Sequence, residues 1–210
     1  MPGVTISSSY GTGGSVIAPL VAEQLEVPLL DRAISAGVAA QLRVTLAEAE
    51  DAQFKLSRTD RFLSVLAPLA IGVLGTEGTT PDAAVIGSNT APFRERAEEI
   101  MRDALVAGAV ILGRAGAAAF GGRSDVLRVR LFGSRDDRIT HAMALQEVDR
   151  PTAEKRQREV DAARAQYVRR LYDLDIDDPE LYDLQINSTR LPAAACAELI
   201  STACRTLAGH

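Results

Sequence analysis

Short apolar runs and longer segments of helical periodicity alternate along this chain. The first run, residues 4–7, is rich in β-branched side chains, and a turn of small residues follows it. Apolar side chains then recur on one face at helical spacing, at Ile17, Leu20, Val21 and Leu25. The N-terminal pattern therefore predicts a strand, a loop and a helix in that order.

The same alternation continues to the end of the chain. Further strands are predicted at 27–30, 109–112, 127–132 and 182–187, and helices at 33–56, 61–74, 93–106, 134–148, 152–171 and 192–207. The run 109–112 is apolar throughout, which is typical of a central strand that is buried on both faces. Five strands that alternate with helices predict an α/β fold, a doubly wound five-stranded parallel sheet with right-handed crossovers. The length of 210 residues predicts that residues 1–210 form a single domain.

The loop after the first strand, residues 8–15, contains three glycines, Gly11, Gly13 and Gly14. Glycine lets the backbone turn sharply and brings successive N–H groups close to a ligand, and the start of the following helix adds a partial positive charge. The loop therefore suits a phosphate group. A tight turn that binds nothing is the alternative explanation for such a segment in an α/β protein.

Two phosphate-binding motifs match this loop incompletely. Aligned on G-x-x-x-x-G-K-[ST], the segment has Ser8 at the first glycine and Gly14 at the lysine, and it keeps the magnesium-side hydroxyl as Ser15. Aligned on the dinucleotide fingerprint G-x-G-x-x-G/A, the first two loop glycines fit, whereas Val16 occupies the third position. A nucleoside triphosphate and a dinucleotide are therefore both candidate ligands.

Polar residues stand at the ends of two predicted strands. Asp31 and Arg32 follow the second strand, and Arg114 follows the third. Because parallel strands present their carboxyl ends at one edge of a sheet, these residues are expected beside the glycine loop. Arginine binds phosphate oxygens in pairs, and an aspartate there could meet a sugar hydroxyl, an amine-bearing base or a hydrated metal ion. Surface ion pairs are the alternative role for the two arginines.

A second cationic signal lies in the segment 150–170. Its basic residues are Arg150, Lys155, Arg156, Arg158, Arg164, Arg169 and Arg170. Arg158, Asp161 and Arg164 follow one another at intervals of three, so they share one helical face and could hold one another in place. Phosphoryl transfer needs cations that close over the γ-phosphate, because negative charge spreads over its oxygens in the transition state. A solvated helix with surface ion pairs would show a similar charge pattern.

Composition narrows the class of protein. A net charge of −5 argues against a general nucleic-acid binder, and no apolar run approaches the roughly 20 residues that span a bilayer. The N-terminus lacks an export-type pattern, so the sequence predicts a cytoplasmic protein with no membrane and no nucleic-acid partner. Lysine occurs only as Lys55 and Lys155, so any phosphate chemistry would depend on arginine, backbone N–H groups and metal.

The few cysteines, histidines and tyrosines are expected to be structural. Cys196 and Cys204 lie eight positions apart on one predicted helix, about 12 Å along its axis, so they cannot form a disulfide with each other and are expected in the core. His141 falls inside a predicted helix, away from any strand end, and is expected at the surface. The C-terminal tyrosines are expected to pack where the charged helix meets the last strand: Tyr167, Tyr172 and Tyr182.

Five segments, in this order, resemble the cytidylate kinase-like branch of the nucleoside monophosphate kinases, which are P-loop proteins. The segments are the loop region 4–14, the strand and turn 27–32, the strand 110–114, the basic segment 160–167 and the last strand and turn 182–191. The resemblance covers nearly the whole chain. It implies a helical, arginine-rich lid at about residues 149–172 and ATP-dependent phosphoryl transfer to a nucleoside monophosphate.

The resemblance also implies a role for individual residues. The phosphates of ATP would be held by Tyr10, Gly11, Thr12, Gly13, Gly14 and Ser15, and Ser15 would also face Mg²⁺. The monophosphate acceptor, expected to be CMP or dCMP, would be bound by Asp31, Arg32 and Arg114. The catalytic residues of the closing lid would be Arg158, Asp161 and Arg164.

The chain departs from authentic cytidylate kinases at two positions. Those enzymes carry a lysine in the loop and an aspartate after the third-strand arginine, where this chain has Gly14 and Ala115. A lid cation could take the place of the lysine, and the candidates are Lys155, Arg156, Arg158 and Arg164. On this hypothesis, Gly14→Lys is expected to increase the rate of transfer.

Two other functions are consistent with the sequence. One is a non-catalytic nucleotide-binding or regulatory protein that kept the fold and lost the lysine. The other is a nicotinamide-cofactor protein that uses Gly11, Gly13 and Asp31, which lies 20 positions after the first loop glycine. The sequence leaves the acceptor base and the oligomeric state open, a homodimer included.

Overall fold

The computed structural model describes residues 3–31 and 91–209. The helices predicted at 33–56 and 61–74, and the candidate residue Arg32, lie outside the described residues. None of the helices in the described ranges is long and apolar enough to cross a lipid bilayer.

One five-stranded sheet organises the described residues. Its strands are β1 (Gly3–Ser8), β2 (Leu29–Asp31), β3 (Val110–Leu112), β4 (Val126–Phe132) and β5 (Leu184–Asn187). Their order across the sheet is β2-β3-β1-β4-β5, and all neighbouring strands are parallel. The predicted α/β doubly wound parallel sheet is therefore confirmed. The apolar strand β3 is an interior strand, as predicted, although β1 occupies the middle of the sheet.

Helices connect and cover these strands. The described α-helices are α1 (Gly14–Leu25), α2 (Ala91–Val106), α3 (Gly116–Ala119), α4 (Arg135–Gln146), α5 (Arg150–Tyr172) and α6 (Ala193–Ala208). The predicted cap of α4 is confirmed, because the Ser134 side chain accepts the N–H of Asp137 at 3.2 Å. Helix α5 begins two residues before its predicted start, because the side chain of Asp149 accepts the N–H of Thr152 at 3.0 Å. The one-turn helix α3 was not predicted.

The core lies on both faces of the sheet. On one face, Val4 and Ile6 of β1 pack with residues of α1 and α6, including Ile17 and Ile200. On the other face, a smaller cluster joins β3 to α2 and α3 through Ile111, Met101, Leu105 and Phe120. The burial of both faces explains why the interior strands are apolar. The predicted core position of the two cysteines is confirmed, since Cys196 and Cys204 are buried and unbridged.

Candidate phosphate-binding site

The loop between β1 and α1 turns through two glycines in the left-handed region. Gly11 has φ of 78°, and Gly13, which caps the N-terminus of α1, has φ of 73°. Only glycine adopts these angles without strain. At Gly11 a side chain would also collide with the backbone carbonyl of Arg138 on α4. The two glycines are therefore needed both for the turn and for the close approach of α4.

Side chains from other elements bind the carbonyl groups of this loop. Arg164 Nη1 donates to the Ser8 carbonyl at 2.6 Å, and Arg138 Nη1 donates to the Tyr10 carbonyl at 3.1 Å. The two remaining contacts are His141 Nδ1 to the Gly11 carbonyl at 2.8 Å and Ser188 Oγ to the Thr12 carbonyl, also at 2.8 Å. These contacts hold the loop with its carbonyl groups already occupied.

Several N–H groups of the same loop have no partner. Within the described residues, the N–H groups of Gly11, Gly13, Gly14 and Ser15 donate to no acceptor, whereas that of Thr12 reaches the Ser9 carbonyl. Gly14 and Ser15 are the first residues of α1, where a helix leaves its N–H groups unsatisfied and carries a partial positive charge. A loop with fixed carbonyls and unpaired N–H groups at a helix start is suited to bind a phosphate.

Asp161 of α5 binds the loop directly. Its Oδ1 accepts the N–H of Tyr10 at 2.8 Å, and its Oδ2 accepts from Arg138 Nη1 at 2.6 Å. The sequence suggested that Arg158, Asp161 and Arg164 could hold one another in place; in the described residues Asp161 forms its ion pair with Arg138, and its charge also acts on Arg164. Arg158 is exposed and makes no ion pair or hydrogen bond with any described residue.

Arg164 is placed close to several other charges. It lies on α5 and is partly buried, and burial lowers the pKa of its guanidinium. Asp161 and Asp31 act in the opposite direction, whereas Arg130 and Arg138 add to the lowering. Three arginines therefore meet two aspartates near the carboxyl end of β1, and such a group of cations is suited to an anionic ligand.

Arg130 was missed by the sequence analysis. It lies on β4 and is only 7% exposed, and its guanidinium donates to Ser7 Oγ at 3.0 Å, to Ser9 Oγ at 3.1 Å and to Asp177 at 2.6 Å. The guanidinium also lies 5.8 Å from the ring centre of Tyr182. Two arginines, Arg128 and Arg130, interrupt the apolar pattern of β4, and this interruption was the sequence signal for the residue. Its contacts fix the hydroxyl side chains at the base of the glycine loop.

Arg114 lies on the other side of β1, after the neighbouring strand β3. Gly113, Arg114 and Ala115 have φ of 77°, 59° and 54°, so two non-glycine residues adopt the left-handed region in succession. Such angles are strained for residues with a Cβ and are often found at ligand sites. All three side-chain nitrogens of Arg114 are buried and have no acceptor among the described residues. Burial lowers the pKa of Arg114 to about 10, and Asp31 and Tyr167 oppose this effect.

Tyr167 of α5 shares this pocket. Its hydroxyl is also buried without a hydrogen-bond partner among the described residues. Burial raises the pKa of Tyr167 to about 12, and the nearby charge of Arg114 acts in the opposite direction. Asp31 is the last residue of β2 and lies beside Leu112 of β3 in the sheet. Asp31, Arg114 and Tyr167 therefore face one region, and the expected role of Tyr167 in packing alone does not account for its unpaired hydroxyl.

The expected surface position of His141 is wrong. The residue is partly buried, and besides its bond to Gly11 its Cε1 lies 3.2 Å from the place a Cβ on Gly13 would take. Ser15, the predicted Mg²⁺ ligand, is exposed at the start of α1. No group of three or more His, Cys, Asp or Glu side chains that could hold a metal ion occurs in the described parts of the chain.

The sheet order and the glycine loop define an α/β protein with a candidate phosphate-binding loop after its central strand. The chain belongs to the cytidylate kinase-like family, whose model matches residues 3–190. No curated protein sequence matches the chain. Family and fold together support a kinase-type activity on nucleotides, and kinase-like families generally use ATP and Mg²⁺.

Solved structures with similar folds include one from a protein of unassigned function. This uncharacterized protein from Eubacterium ventriosum ATCC 27560 is 18% identical and has a TM-score of 0.60, and the match covers 97% of both chains. The shikimate kinase from Acinetobacter baumannii, solved with shikimate, is 13% identical with a TM-score of 0.44 over 98% of this chain and 94% of that one. The shikimate kinase from Bacteroides thetaiotaomicron is 13% identical with a TM-score of 0.43 over 100% and 99% of the two chains.

Proposed function

We propose that this protein catalyses ATP-dependent phosphoryl transfer to a nucleoside monophosphate, with CMP or dCMP as the acceptor. The observation that carries the proposal is the presence of two adjoining anion sites at the carboxyl edge of the sheet. One candidate site is the set of N–H groups in the loop after β1, and the other is the guanidinium of Arg114 after β3; neither has a hydrogen-bond partner in the part of the chain that the structure describes. The two strands are neighbours, with Ile6 beside Leu112. A donor phosphate and an acceptor phosphate could therefore meet between these sites.

The loop residues from Tyr10 to Ser15 would bind the phosphates of ATP. The N–H groups of Gly11, Gly13, Gly14 and Ser15 could donate to phosphate oxygens without rearrangement, because side chains already hold the loop carbonyls. Ser15 would hold Mg²⁺, which supplies neutralising charge to the phosphates when it is bound. The positive end of α1 adds to this field.

Arg114 and Asp31 would bind the acceptor. The planar fork of Arg114 can hold two oxygens of the acceptor phosphate, with the hydroxyl of Tyr167 beside it as a further donor. Asp31 would accept a hydrogen bond from the sugar or from the amino group of the base. CMP and dCMP are the acceptors that the family likeness favours.

No protein nucleophile is needed for this reaction. In-line transfer depends on positioning and on neutralisation of the charge that develops in the transition state. Arg164 of α5 binds the loop backbone at the Ser8 carbonyl, and we assign it as the cation for the transferred phosphate. The helix α5 (Arg150–Tyr172) has nearly the bounds of the predicted lid, and we assign it the role of closing over the phosphates. The enzyme would act on free nucleotides in the cytoplasm.

The experiment that tests the proposal measures binding and transfer together. Thermal shifts are recorded with ATP, CMP, dCMP, other monophosphates and NAD(H), each with and without Mg²⁺, and transfer is followed from γ-labelled ATP. ATP at about 100 times its Kd should stabilise the protein by about 2.7 kcal/mol. Labelled product should form with CMP or dCMP. A shift with NAD(H) alone would contradict the proposal.

A non-catalytic nucleotide-binding protein is the second candidate, because Gly14 stands where the loop lysine of kinases is found. Its expected result is a clear thermal shift with ATP and no labelled product with any monophosphate. The same experiment therefore separates the two functions.

A further inference from the structure

The loop departs from the kinase motif at Ser8 and Gly14, and these two residues are close neighbours. A Cβ built on Gly14 would lie 2.6 Å from Ser8 Oγ and 2.8 Å from Ser8 Cβ, closer than side-chain atoms pack. The φ of Gly14 lies outside the left-handed region, so its backbone would accept an ordinary side chain. The obstacle is Ser8 itself. Rotation of the hydroxyl does not remove it, because Ser8 Cβ also collides.

The neighbouring cation contacts the same serine. Arg164 Nη1 donates to the Ser8 carbonyl at 2.6 Å, and Arg164 has further N–H donors on Nη2 and Nε. The other candidate cations of α5 make different contacts. Lys155 lies 3.8 Å from Glu159 and is 63% exposed, and Arg156 donates to Gln146 at 3.1 Å. Arg158 is exposed. Of these four, Arg164 contacts the loop backbone in the described residues, at the Ser8 carbonyl, whereas Arg156 meets the side chain of Tyr10.

We propose that Ser8, Gly14 and Arg164 act as one unit that replaces the loop lysine. Ser8 fills the space in which a side chain at position 14 would begin, and Arg164 brings the cation for the terminal phosphate of ATP from α5. A guanidinium can bind two phosphate oxygens at once, so it supplies the charge that the lysine would have supplied. This inference rests on the proposed function and names the cation that the function requires.

The expected effect of Gly14→Lys therefore changes. This substitution alone should not restore a kinase loop, because the new Cβ would collide with Ser8. The lysine becomes acceptable only when Ser8 is glycine, as at the first position of the motif. Ser8→Gly and Gly14→Lys are thus coupled changes.

A double-mutant cycle on the full chain tests the steric part. The variants are Ser8→Gly, Gly14→Ala, Gly14→Lys and the two double variants with Ser8→Gly. The melting temperature is measured without nucleotide. Both single changes at Gly14 should lower it, and Ser8→Gly should recover most of the loss in each double variant. If the Gly14 substitutions lower the melting temperature equally whether position 8 is serine or glycine, the steric part is overturned. This outcome does not depend on what the protein binds.

Titration with ATP and ADP tests the role of Arg164. In the parent, Arg164→Ala should raise the Kd of ATP by roughly tenfold or more. The Kd of ADP should stay nearly unchanged, because only ATP carries the γ-phosphate. In the Ser8→Gly/Gly14→Lys background, the same Arg164→Ala change should cost much less. Equal weakening of ATP and ADP in the parent would overturn the assignment of Arg164. If the parent binds no ATP at all, the proposed function and the role of Arg164 fail together, while the melting cycle still reports on Ser8 and Gly14.

Discussion

The carboxylate of Asp161 joins α5 to both α4 and the glycine loop. One oxygen accepts from Arg138 at 2.6 Å and the other from the Tyr10 N–H at 2.8 Å, while Arg138 also donates to the Tyr10 carbonyl. Asp161 and Arg138 therefore bind the backbone N–H and the backbone carbonyl of Tyr10, respectively. The predicted catalytic role of Asp161 remains a prediction, and these contacts favour a role in positioning the loop.

Removal of this carboxylate should destabilise the nucleotide-free protein. Asp161→Ala leaves Arg138 and the Tyr10 N–H without their shared acceptor, which should cost about 1–3 kcal/mol, toward the low end because Asp161 is partly exposed. Asp161→Asn keeps one acceptor and should cost less. Urea unfolding without ligand measures both losses. Arg158→Ala is the matched control on the same helix, since its side chain is exposed and should change stability by no more than about 0.5 kcal/mol. Equal effects of Asp161→Ala and Arg158→Ala would show that the contact contributes nothing.

Gly11→Ala should be strongly destabilising. Its φ of 78° penalises a Cβ, and the new methyl group would meet the Arg138 carbonyl. The strain and the collision together should cost about 2–4 kcal/mol. Gly122→Ala provides the matched control, because nothing lies within 4 Å of a Cβ at that position and its φ is not left-handed. Thermal unfolding of the two variants under the same conditions tests this prediction. It fails if Gly11→Ala and Gly122→Ala have the same melting temperature.

The contacts of Asp161 and Gly11 show which features the sequence can predict and which it cannot. The strand, the glycine turn and the Ser134 cap depend on neighbouring residues, so local periodicity and turn chemistry were enough to find them. Arg138 was missed because its partner Tyr10 lies 128 positions away, and no local pattern marks such a contact. The surface position expected for His141 was wrong for the same reason, since its bond to Gly11 spans 130 positions. The identity of the site residues thus depended on how distant elements pack.

Arg114 should show opposite effects on binding and on stability. Arg114→Met removes a buried guanidinium that has no acceptor in the described residues, so the nucleotide-free protein should become more stable by about 1 kcal/mol or more. The same change should make the binding free energy of the monophosphate less favourable by about 1.5–3 kcal/mol and should affect the binding of ATP much less. Isothermal titration with CMP and with ATP, together with urea unfolding, measures the three quantities. Equal loss of both ligands would mean that Arg114 is not on the acceptor side.

Alkaline pH should destabilise the fold through its tyrosines. Burial raises the pKa of all four, Tyr10, Tyr167, Tyr172 and Tyr182, and that of Tyr167 reaches about 12. The folded protein therefore favours the neutral phenol, so this contribution is complete below the ordinary pKa of about 10 and is lost as pH rises from there toward 12. Tyrosinate absorbance should rise together with unfolding. Tyr167→Phe should reduce the pH dependence of the unfolding free energy above pH 10, and an unchanged slope would contradict the burial of its hydroxyl.

Catalysis should depend on Arg164 much more than on Arg158, although the sequence predicted both as catalytic. Arg164 reaches the loop at the Ser8 carbonyl, whereas Arg158 is exposed and makes no hydrogen bond or ion pair with a described residue. A preorganised donor to developing charge is worth roughly 10²–10³ in rate, so Arg164→Ala should slow single-turnover transfer from γ-labelled ATP to CMP by that factor. Arg158→Ala should slow it less, unless closure of α5 brings that side chain to the phosphates. Comparison of the two variants at saturating ATP separates the chemical step from binding. Larger loss with Arg158→Ala would show that α5 moves farther on closure than the contacts of Arg164 indicate.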